Sequence, residues 1–442
     1  MNSFVLKKYV LIIAFCLGAV VSCSSEKETG DNAGSQINID YVAENYIILA
    51  FRLNKFDHNY IDNYFGPDSL KAIGEKDSTG LKEIIARGNQ LLAILDTIMG
   101  SNADLKVRKK FISAMLGALV AKAQILDGKK YNFDEECKAL YGVNVPILQE
   151  NYYQKILVKI DSILPPSKKN LNERYEEFAA NFVVPMEKID TVFRLAIEEG
   201  RRRTKEYIEL VTGEKFIIEY VTGKPWAAYN WYKGAGNSII QVNTDVPMTI
   251  DKIIELAFHE GYPGHHVYHQ LLEKQMVWEN KWLEYSIYPL FSPLALISEG
   301  TANYGVELIM TMDERVKFEK EVLLPAAGID TNNYSRFKDL VRLKNKLNYA
   351  ANDAARFLIE GRKTKDEAAA WLAKHQIRTQ SEAMRFMDFI ETYGAYVINY
   401  NYGKDLVKNY IESHGGKNDR HLQKSLFKKL LTTSVIPSDL KD

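Results

Sequence analysis

The chain has 442 residues, and its 57 basic and 57 acidic side chains give a formal net charge of zero. This balance gives no electrostatic basis for binding nucleic acid or an anionic membrane surface. The sequence also lacks a Gly-x-Ser-x-Gly motif, a phosphate-binding loop and the Pro-Cys-x-x-Cys element of zinc deaminases, which weakens serine-hydrolase, nucleotide-binding and deaminase interpretations.

The first 22 residues have the features of a secretory signal peptide. Two lysines precede an apolar run over residues 9–21, which is too short to span a membrane as a helix. Val20-Val21-Ser22-Cys23 resembles a bacterial lipobox, in which the cysteine is acylated and becomes the first residue of the mature chain. We therefore expect a signal peptide over residues 1–22 and lipidation of Cys23, with an ordinary signal peptide cleaved nearby as the alternative.

Residues 23–40 are rich in Ser, Gly, Glu and Asn, and we interpret them as a flexible tether behind the lipid. Acyl chains would anchor the protein to a membrane leaflet, so the expected location is the bacterial cell envelope, as an outer membrane lipoprotein. Cys16 would leave with the signal peptide and Cys23 would carry the lipid, so Cys137 is the one remaining thiol. One thiol forms neither an internal disulfide nor a cysteine zinc site, and we interpret Cys137 as structural.

Residues 41–210 predict an N-terminal helical lobe. Apolar residues recur at intervals of three and four, as at Val42, Tyr46 and Leu49, and prolines punctuate the helices. No repeat with a period of about 20 to 50 residues is visible, which argues against a helical-repeat binding protein. A cleft could be lined by Tyr60, Asp62, Tyr64 and Pro67, but aromatic residues in a helical lobe usually belong to the core, and we leave all four out of the site.

The remaining part of the chain, residues 211–442, begins with two predicted strands. Residues 216–221 and 238–243 are β-branched and roughly alternating, and glycines and a proline separate them. An edge strand running before the next segment would let an extended peptide add to the sheet by main-chain hydrogen bonds. A purely structural sheet is an equal alternative.

Half of the eight histidines lie within residues 259–270. In the familiar His-Glu-x-x-His zinc helix, two histidines stand one turn apart and the glutamate is the general base. Here His259-Glu260 is followed by a Pro-Gly pair and then by His265 and His266. A spacing of six residues on a straight helix rotates two side chains about 120° apart, so the Pro-Gly pair must break or bulge the helix to bring a second histidine over the first.

A third ligand is available downstream. Residues 295–308 have helical spacing and carry Glu299, followed by the small residues Gly300 and Ala302, which allow close approach of a neighbouring helix. A catalytic zinc site usually takes three protein ligands and leaves one position for water. Two histidines and a later glutamate follow the ligand order of glutamate-type zinc peptidases, so the predicted ligands are His259, a second histidine and Glu299.

These two metal segments carry a family resemblance. The portion Gly264-His265-x-x-Tyr268-x-Gln270 resembles the zinc helix of carboxypeptidase Taq and, more distantly, of thimet oligopeptidase. The whole string from His259 to His266, with Ser298-Glu299-Gly300-x-Ala302, resembles the bacterial family called domain of unknown function 885, which is regarded as a group of zinc-dependent peptidases of the gluzincin type. The resemblance implies His265 as the second ligand, and it leaves His266 as a neighbour of the site or an alternative ligand.

A peptidase also needs a donor for the oxyanion of the tetrahedral intermediate, commonly Tyr, His or Arg. Residues 380–410 predict helical structure rich in tyrosine. The candidates are Tyr393, Tyr396, Tyr400, Tyr402 and Arg356. The resemblance extends to this C-terminal region and implies Tyr400 or Tyr402.

Together these features predict a mainly α protein with a zincin-like metallopeptidase fold, in which a two-lobed helical domain carries a small β-sheet beside the active-site helix. Zinc held by the three ligands would activate a water molecule, and Glu260 would act as general base in the hydrolysis of peptide bonds. Two other functions also fit the sequence: a lipid-anchored peptide-binding protein without turnover, and a metal-dependent hydrolase of non-peptide amides.

Overall fold

The computed structural model describes residues 38–76, 78–224 and 226–441 of the chain. The expected signal peptide, the lipidation site at Cys23 and most of the expected tether lie outside these residues. The first helix begins at Ile39, because the side chain of Asn38 accepts a hydrogen bond from the backbone N–H of Tyr41 and caps the helix. The helix therefore begins two residues before the predicted start of the N-terminal lobe at residue 41.

The N-terminal region is helical, as predicted. The apolar side chains of Val42, Tyr46 and Leu49 are buried in the core. Local capping fixes where helices begin: Asn132 and Glu135 form a capping box at the start of one of them. The elements are α1 Ile39–Asn54, β1 Ile61–Tyr64, α2 Asp68–Lys76, α3 Leu81–Thr97, α4 Ala103–Leu126, α5 Phe133–Tyr141, α6 Glu150–Ile163, α7 Leu171–Ala180 and α8 Ile189–Thr204.

A three-stranded sheet follows in the chain. Its strands are β2 Lys215–Val221, β3 Ala228–Gly234 and β4 Asn237–Asn243, and their spatial order is β2–β4–β3. Strand β4 pairs in parallel with β2 and antiparallel with β3. The sequence predicted β2 and β4 but missed β3. Because β4 is the central strand, the strand that runs before the histidine segment is not an edge; the edge strands are β2 and β3.

A second, two-stranded sheet joins the beginning of the chain to the region before Glu299. Strand β5 Ile287–Pro289 pairs antiparallel with β1. Ile61 lies opposite Pro289 and Asn63 lies opposite Tyr288, so Asp62 is an extra residue that forms a β-bulge.

The C-terminal region is again helical. Helices α11 and α18 approach closely, since a Cβ atom added at Gly300 would lie 2.5 Å from the backbone oxygen of Gly403. The single helix predicted over residues 380–410 is interrupted at Gly394, where φ is +57°. The helices are α9 Ile250–Leu256, α10 His265–Leu272, α11 Pro293–Ile309, α12 Met312–Phe318, α13 Leu324–Ala327, α14 Tyr334–Asn345, α15 Ala350–Ile359, α16 Lys365–Gln376, α17 Gln380–Tyr393, α18 Ile398–Ile411 and α19 Arg420–Thr432.

The mainly α class predicted from the sequence is confirmed. The described residues form one compact unit, and the predicted division into 41–210 and 211–442 stays a prediction whose boundary falls between α8 and β2. Across the described ranges, every helix lacks the length or the apolar character that crossing a membrane requires.

Candidate metal centre

The helix that leads into the histidine segment is interrupted as the Pro-Gly pair predicts. After α9 the chain makes one π-helical turn, Ala257–Gly261, and then leaves the helix through a cis Tyr262–Pro263 peptide bond before α10 begins at His265. The N–H of Gly264 donates to the carbonyl oxygen of Phe258 at 3.0 Å. A Cβ atom on Gly264 would lie 1.7 Å from the carbonyl oxygen of His259, so this position accepts only glycine.

This interruption brings the two histidines together. The rings of His259 and His265 lie 4.6 Å apart, measured between centroids, and are nearly perpendicular. Their Nε2 atoms lie 3.3 Å and 3.6 Å, respectively, from Oε2 of Glu299 on α11. The structure thus brings together the three side chains that the sequence singled out as ligands.

The three ligand atoms fit a single small cation. One atom from each of His259, His265 and Glu299 lies within 4.8 Å of the others. Two donors bound to a tetrahedral zinc ion at its usual bond lengths lie about 3.3 Å apart, close to the spacings observed between imidazole and carboxylate. Oε2 of Glu299 is buried and, although the two imidazole nitrogens lie near it, it accepts no hydrogen bond. A buried carboxylate oxygen is costly without a partner, and a metal ion would supply one.

The charges of the cluster are strongly coupled. Burial raises the pKa of Glu299, but the neighbouring His265 and His259 outweigh burial and hold that pKa far below its usual range. Burial disfavours a charged His265, but Glu299 outweighs it and raises the pKa of His265 to about 9. Nδ1 of His265 pairs with Oγ of Ser298 at 3.2 Å, which leaves Nε2 directed at Glu299.

Glu260 lies beside the cluster and has the properties of a proton acceptor. Its side chain is buried, and burial raises the pKa of the carboxyl, while the imidazoles of His259 and His265 oppose the shift. A raised pKa suits a group that must take up and then release a proton near neutral pH. Its backbone oxygen accepts a hydrogen bond of 2.7 Å from Asn230 on edge strand β3, which fixes the π-helical turn against the sheet.

His266 has a different environment, although it follows His265 directly. Its Nδ1 pairs with Oγ of Ser238 and its Nε2 with Oε2 of Glu214, both at 2.8 Å. Glu214 also accepts hydrogen bonds from Tyr262 and Arg201. Because both ring nitrogens are engaged, His266 holds the helix break against the sheet and offers no nitrogen to the cluster.

The tyrosines of the C-terminal region fall into two groups. The hydroxyl of Tyr396 donates to Oε1 of Glu299 at 2.9 Å. Tyr400 stacks edge-on against Tyr396 at 5.7 Å between centroids, and its side chain is 40% exposed. Although the ring is partly exposed, desolvation of the hydroxyl and the negative charges of Glu299 and Glu260 raise the pKa of Tyr400, so its hydroxyl keeps its proton. Tyr402 lies elsewhere: the ionisable group that acts on it is Cys137, and the structure does not bring it to the metal ligands.

Two neighbours of the cluster were missed as site residues. Tyr396 was one of several candidates, and the interruption at Gly394, which sets its direction, was not predicted. Asp62 was set aside with segment 60–67, yet its carboxyl is close enough to act electrostatically on His265, Glu299 and Glu260. The sequence signal that could have identified Asp62 was a carboxylate within a segment of aromatic residues.

Cys137 is buried and free, in agreement with a structural role.

Comparisons with known proteins add information on the fold alone. The sequence matches no protein-family model and no curated protein. The structure is similar to that of a proposed lipoprotein from Colwellia psychrerythraea, with a TM-score of 0.52 and 14% identity over 81% of this chain and 68% of that chain. A proposed lipoprotein of unknown function from Shewanella oneidensis aligns with a TM-score of 0.46 and 16% identity over 90% of this chain and 81% of that chain. The first likeness shows a shared fold; the second is too weak to carry an argument.

Proposed function

We propose that the protein is a zinc-dependent peptidase, with His259, His265 and Glu299 as metal ligands. The observation that carries the proposal is the buried Oε2 atom of Glu299, which lies between two imidazole nitrogens without a hydrogen bond of its own. A buried glutamate with a raised pKa directly follows the first histidine. This arrangement combines an open cation site with an adjacent proton acceptor, as metal-assisted hydrolysis requires.

The residues around the ligands divide the remaining chemistry. A zinc ion at this site would supply Lewis-acid polarisation of the scissile carbonyl and a water of lowered pKa. Glu260 accepts the proton of the attacking water and passes it to the leaving amine. Tyr400, accessible and protonated, donates a hydrogen bond to the oxygen on which negative charge develops. Tyr396 orients the Glu299 carboxylate through its other oxygen.

The zincin-like fold and the membership in the family called domain of unknown function 885 belong to the same proposal. They are supported by the ligand order of the two metal segments and by the bulged helix between the histidines. We also propose a lipid anchor at Cys23 in the cell envelope, since the sequence around that residue resembles a lipobox. The proposed lipoprotein from Colwellia psychrerythraea, which shares the fold, supports this location.

Metal analysis combined with a peptide-library assay of the wild type and Glu260→Gln tests the function. Both proteins should retain zinc, because Glu260 is not a ligand, while cleavage by Glu260→Gln should fall by about 10³-fold. Glu255→Gln is the matched control, since Glu255 lies on α9 in a partly buried ion pair with Lys252, and it should cleave at the wild-type rate.

Other results would point elsewhere. Equal cleavage by the wild type and Glu260→Gln would remove Glu260 from the mechanism. Peptide binding and bound metal without cleavage would favour a peptide-binding protein. Hydrolysis of amino-acid amide conjugates, with peptides left intact, would favour the non-peptide amidase.

A further inference from the structure

Asp62 is placed beside the metal centre by an irregularity of the first strand. It is the extra residue between Ile61 and Asn63 where β1 pairs with β5. A β-bulge redirects the side chain that it carries, and bulges occur often next to active sites. Strand β5 leads after a short turn into α11, the helix that carries Glu299. The bulge therefore brings a carboxylate from the beginning of the chain to the ligand helix.

The carboxylate of Asp62 is incompletely bonded. Its Oδ2 accepts a hydrogen bond of 3.1 Å from the side chain of Asn63, whereas its Oδ1 is buried and accepts none. The charged or titratable groups near it are His265, Glu299, Glu260, Lys233, Tyr288 and Tyr393. Burial and the two glutamates raise the pKa of Asp62 to about 8, although His265 and Lys233 oppose the shift. The geometric reason for a ligand is Oδ1, a buried carboxylate oxygen without a hydrogen bond, which a cationic donor would satisfy.

A cavity of about 570 Å³ adjoins this carboxylate, and Asp62 forms part of its wall. That volume is sufficient for a small ligand or a short stretch of peptide. Two of the three other acidic groups of the wall already have partners, and the third, Asp68, is exposed. Glu273 accepts hydrogen bonds from Tyr232 and the backbone of Ala235, and Glu75 forms an exposed ion pair with Lys71.

We propose that Asp62 is a specificity-determining residue that binds a cationic nitrogen of the substrate, either the α-ammonium group of a peptide or the side chain of a lysine or arginine. The inference rests on the proposed peptidase function and specifies its substrate class. Asp62 borders the cavity and lies near enough to the metal centre to act electrostatically on it, so a cation bound at Asp62 would hold the adjoining amide on the side of Glu260. If the nitrogen is the α-ammonium group, the protein removes residues from the N terminus.

Binding measured by isothermal titration calorimetry tests the inference without turnover. The zinc-loaded Glu260→Gln protein is titrated with three C-terminally amidated tripeptides: Ala-Ala-Ala, N-acetyl-Ala-Ala-Ala and N-acetyl-Lys-Ala-Ala. The same titrations are made with Asp62→Asn added to this protein, and with Asp68→Asn as the matched control from the same cavity wall. Circular dichroism checks that all variants are folded.

We expect a cationic peptide to bind at least about tenfold more tightly than the neutral one, and Asp62→Asn alone to abolish that difference. Tighter binding of Ala-Ala-Ala would identify the α-ammonium group as the cation that Asp62 binds. Tighter binding of N-acetyl-Lys-Ala-Ala would identify the lysine side chain instead. Equal affinities for all three peptides, equal weakening of all three by Asp62→Asn, or no binding at all would overturn the inference. Failure of the peptidase proposal is recognised separately, because the wild type would then cleave no peptide in the peptide-library assay.

Discussion

His265 and His266 are adjacent residues on α10, and they differ in how completely their surroundings are hydrogen-bonded. Both ring nitrogens of His266 are paired, and its partner Glu214 accepts hydrogen bonds from three side chains. His265 instead faces an oxygen of Glu299 that receives no hydrogen bond. A fully paired buried network stabilises a backbone shape, whereas an unpartnered buried carboxylate marks a place where a ligand is required.

This difference also assigns separate tasks to the two sides of the interrupted helix. The side with His266 holds the turn against the sheet, with Ser238 on β4 as one of its contacts. The side with His265 presents nitrogen atoms to the cluster. The first side should therefore respond to substitution mainly in stability, and the second mainly in metal affinity.

The largest effect is expected where both sides depend on the same backbone turn. Gly264→Ala places a methyl group 1.7 Å from the carbonyl oxygen of His259, so the turn must shift. We expect the free energy of unfolding to fall by at least about 3 kcal/mol and the metal to be lost. Urea denaturation and metal analysis measure the two effects.

Gly117→Ala is the matched control for this substitution. Gly117 lies within α4, and a Cβ atom there meets no neighbouring atom within 4 Å. That variant should gain about 0.5–1 kcal/mol and keep its metal. Wild-type stability of Gly264→Ala would show that the turn is not fixed by this contact.

Smaller effects are expected from substitution of Tyr396 and Tyr400. They distinguish a residue that positions a metal ligand, Tyr396, from one that contacts the substrate, Tyr400. Tyr396→Phe removes the hydrogen bond to Oε1 of Glu299, so zinc affinity should fall by about tenfold. Tyr400→Phe should retain zinc affinity but lower kcat by about 10²-fold, because it removes a donor used in the transition state. Competition with a chelator and steady-state kinetics distinguish them; identical changes in both variants would contradict the division.

Metal binding should also be linked to the release of a proton. The pKa of His265 is raised to about 9 in the metal-free protein, so below that pH a metal ion must displace its proton. Apparent zinc affinity should rise about tenfold per pH unit between about pH 7 and 9, with about one proton released. Calorimetry in buffers of different ionisation enthalpy counts that proton, and binding without proton release would contradict the shift.

The raised pKa of His265 also predicts a stability effect in the absence of metal. Since the folded-state pKa lies above the unfolded value of about 6.5, the extra stability is fully present below about pH 6.5. It is lost as pH rises through about 9. The metal-free protein should therefore unfold more easily above about pH 9 than below about pH 6.5, as denaturation at the two pH values would show.

Much of this arrangement could be predicted from local sequence. The Pro-Gly pair indicated the helix interruption, and the small residues after Glu299 indicated the close helix contact at Gly300. Apolar residues at intervals of three and four indicated the N-terminal helices, and β-branched, alternating segments indicated β2 and β4. In each case the signal lies within a few residues of the feature that it determines.

The remainder depends on contacts between distant parts of the chain. Asp62 reaches the cluster because β1 pairs with β5, and no local pattern in either strand specifies that pairing or its bulge. The choice between His265 and His266 depends on the position of Glu214, and the direction of Tyr396 depends on the turn at Gly394. Strand β3 was missed because its aromatic and polar residues do not form a simple alternation.

Metal content after exhaustive dialysis, measured by mass spectrometry for the wild type, His265→Gln and His266→Gln, tests the central claim most directly. We expect about one zinc ion per chain in the wild type and in His266→Gln, and a loss of at least about tenfold in affinity in His265→Gln. Circular dichroism verifies that both variants are folded. Retention of zinc by His265→Gln, or its loss from a folded His266→Gln alone, would contradict the assignment of His259, His265 and Glu299 as the metal ligands.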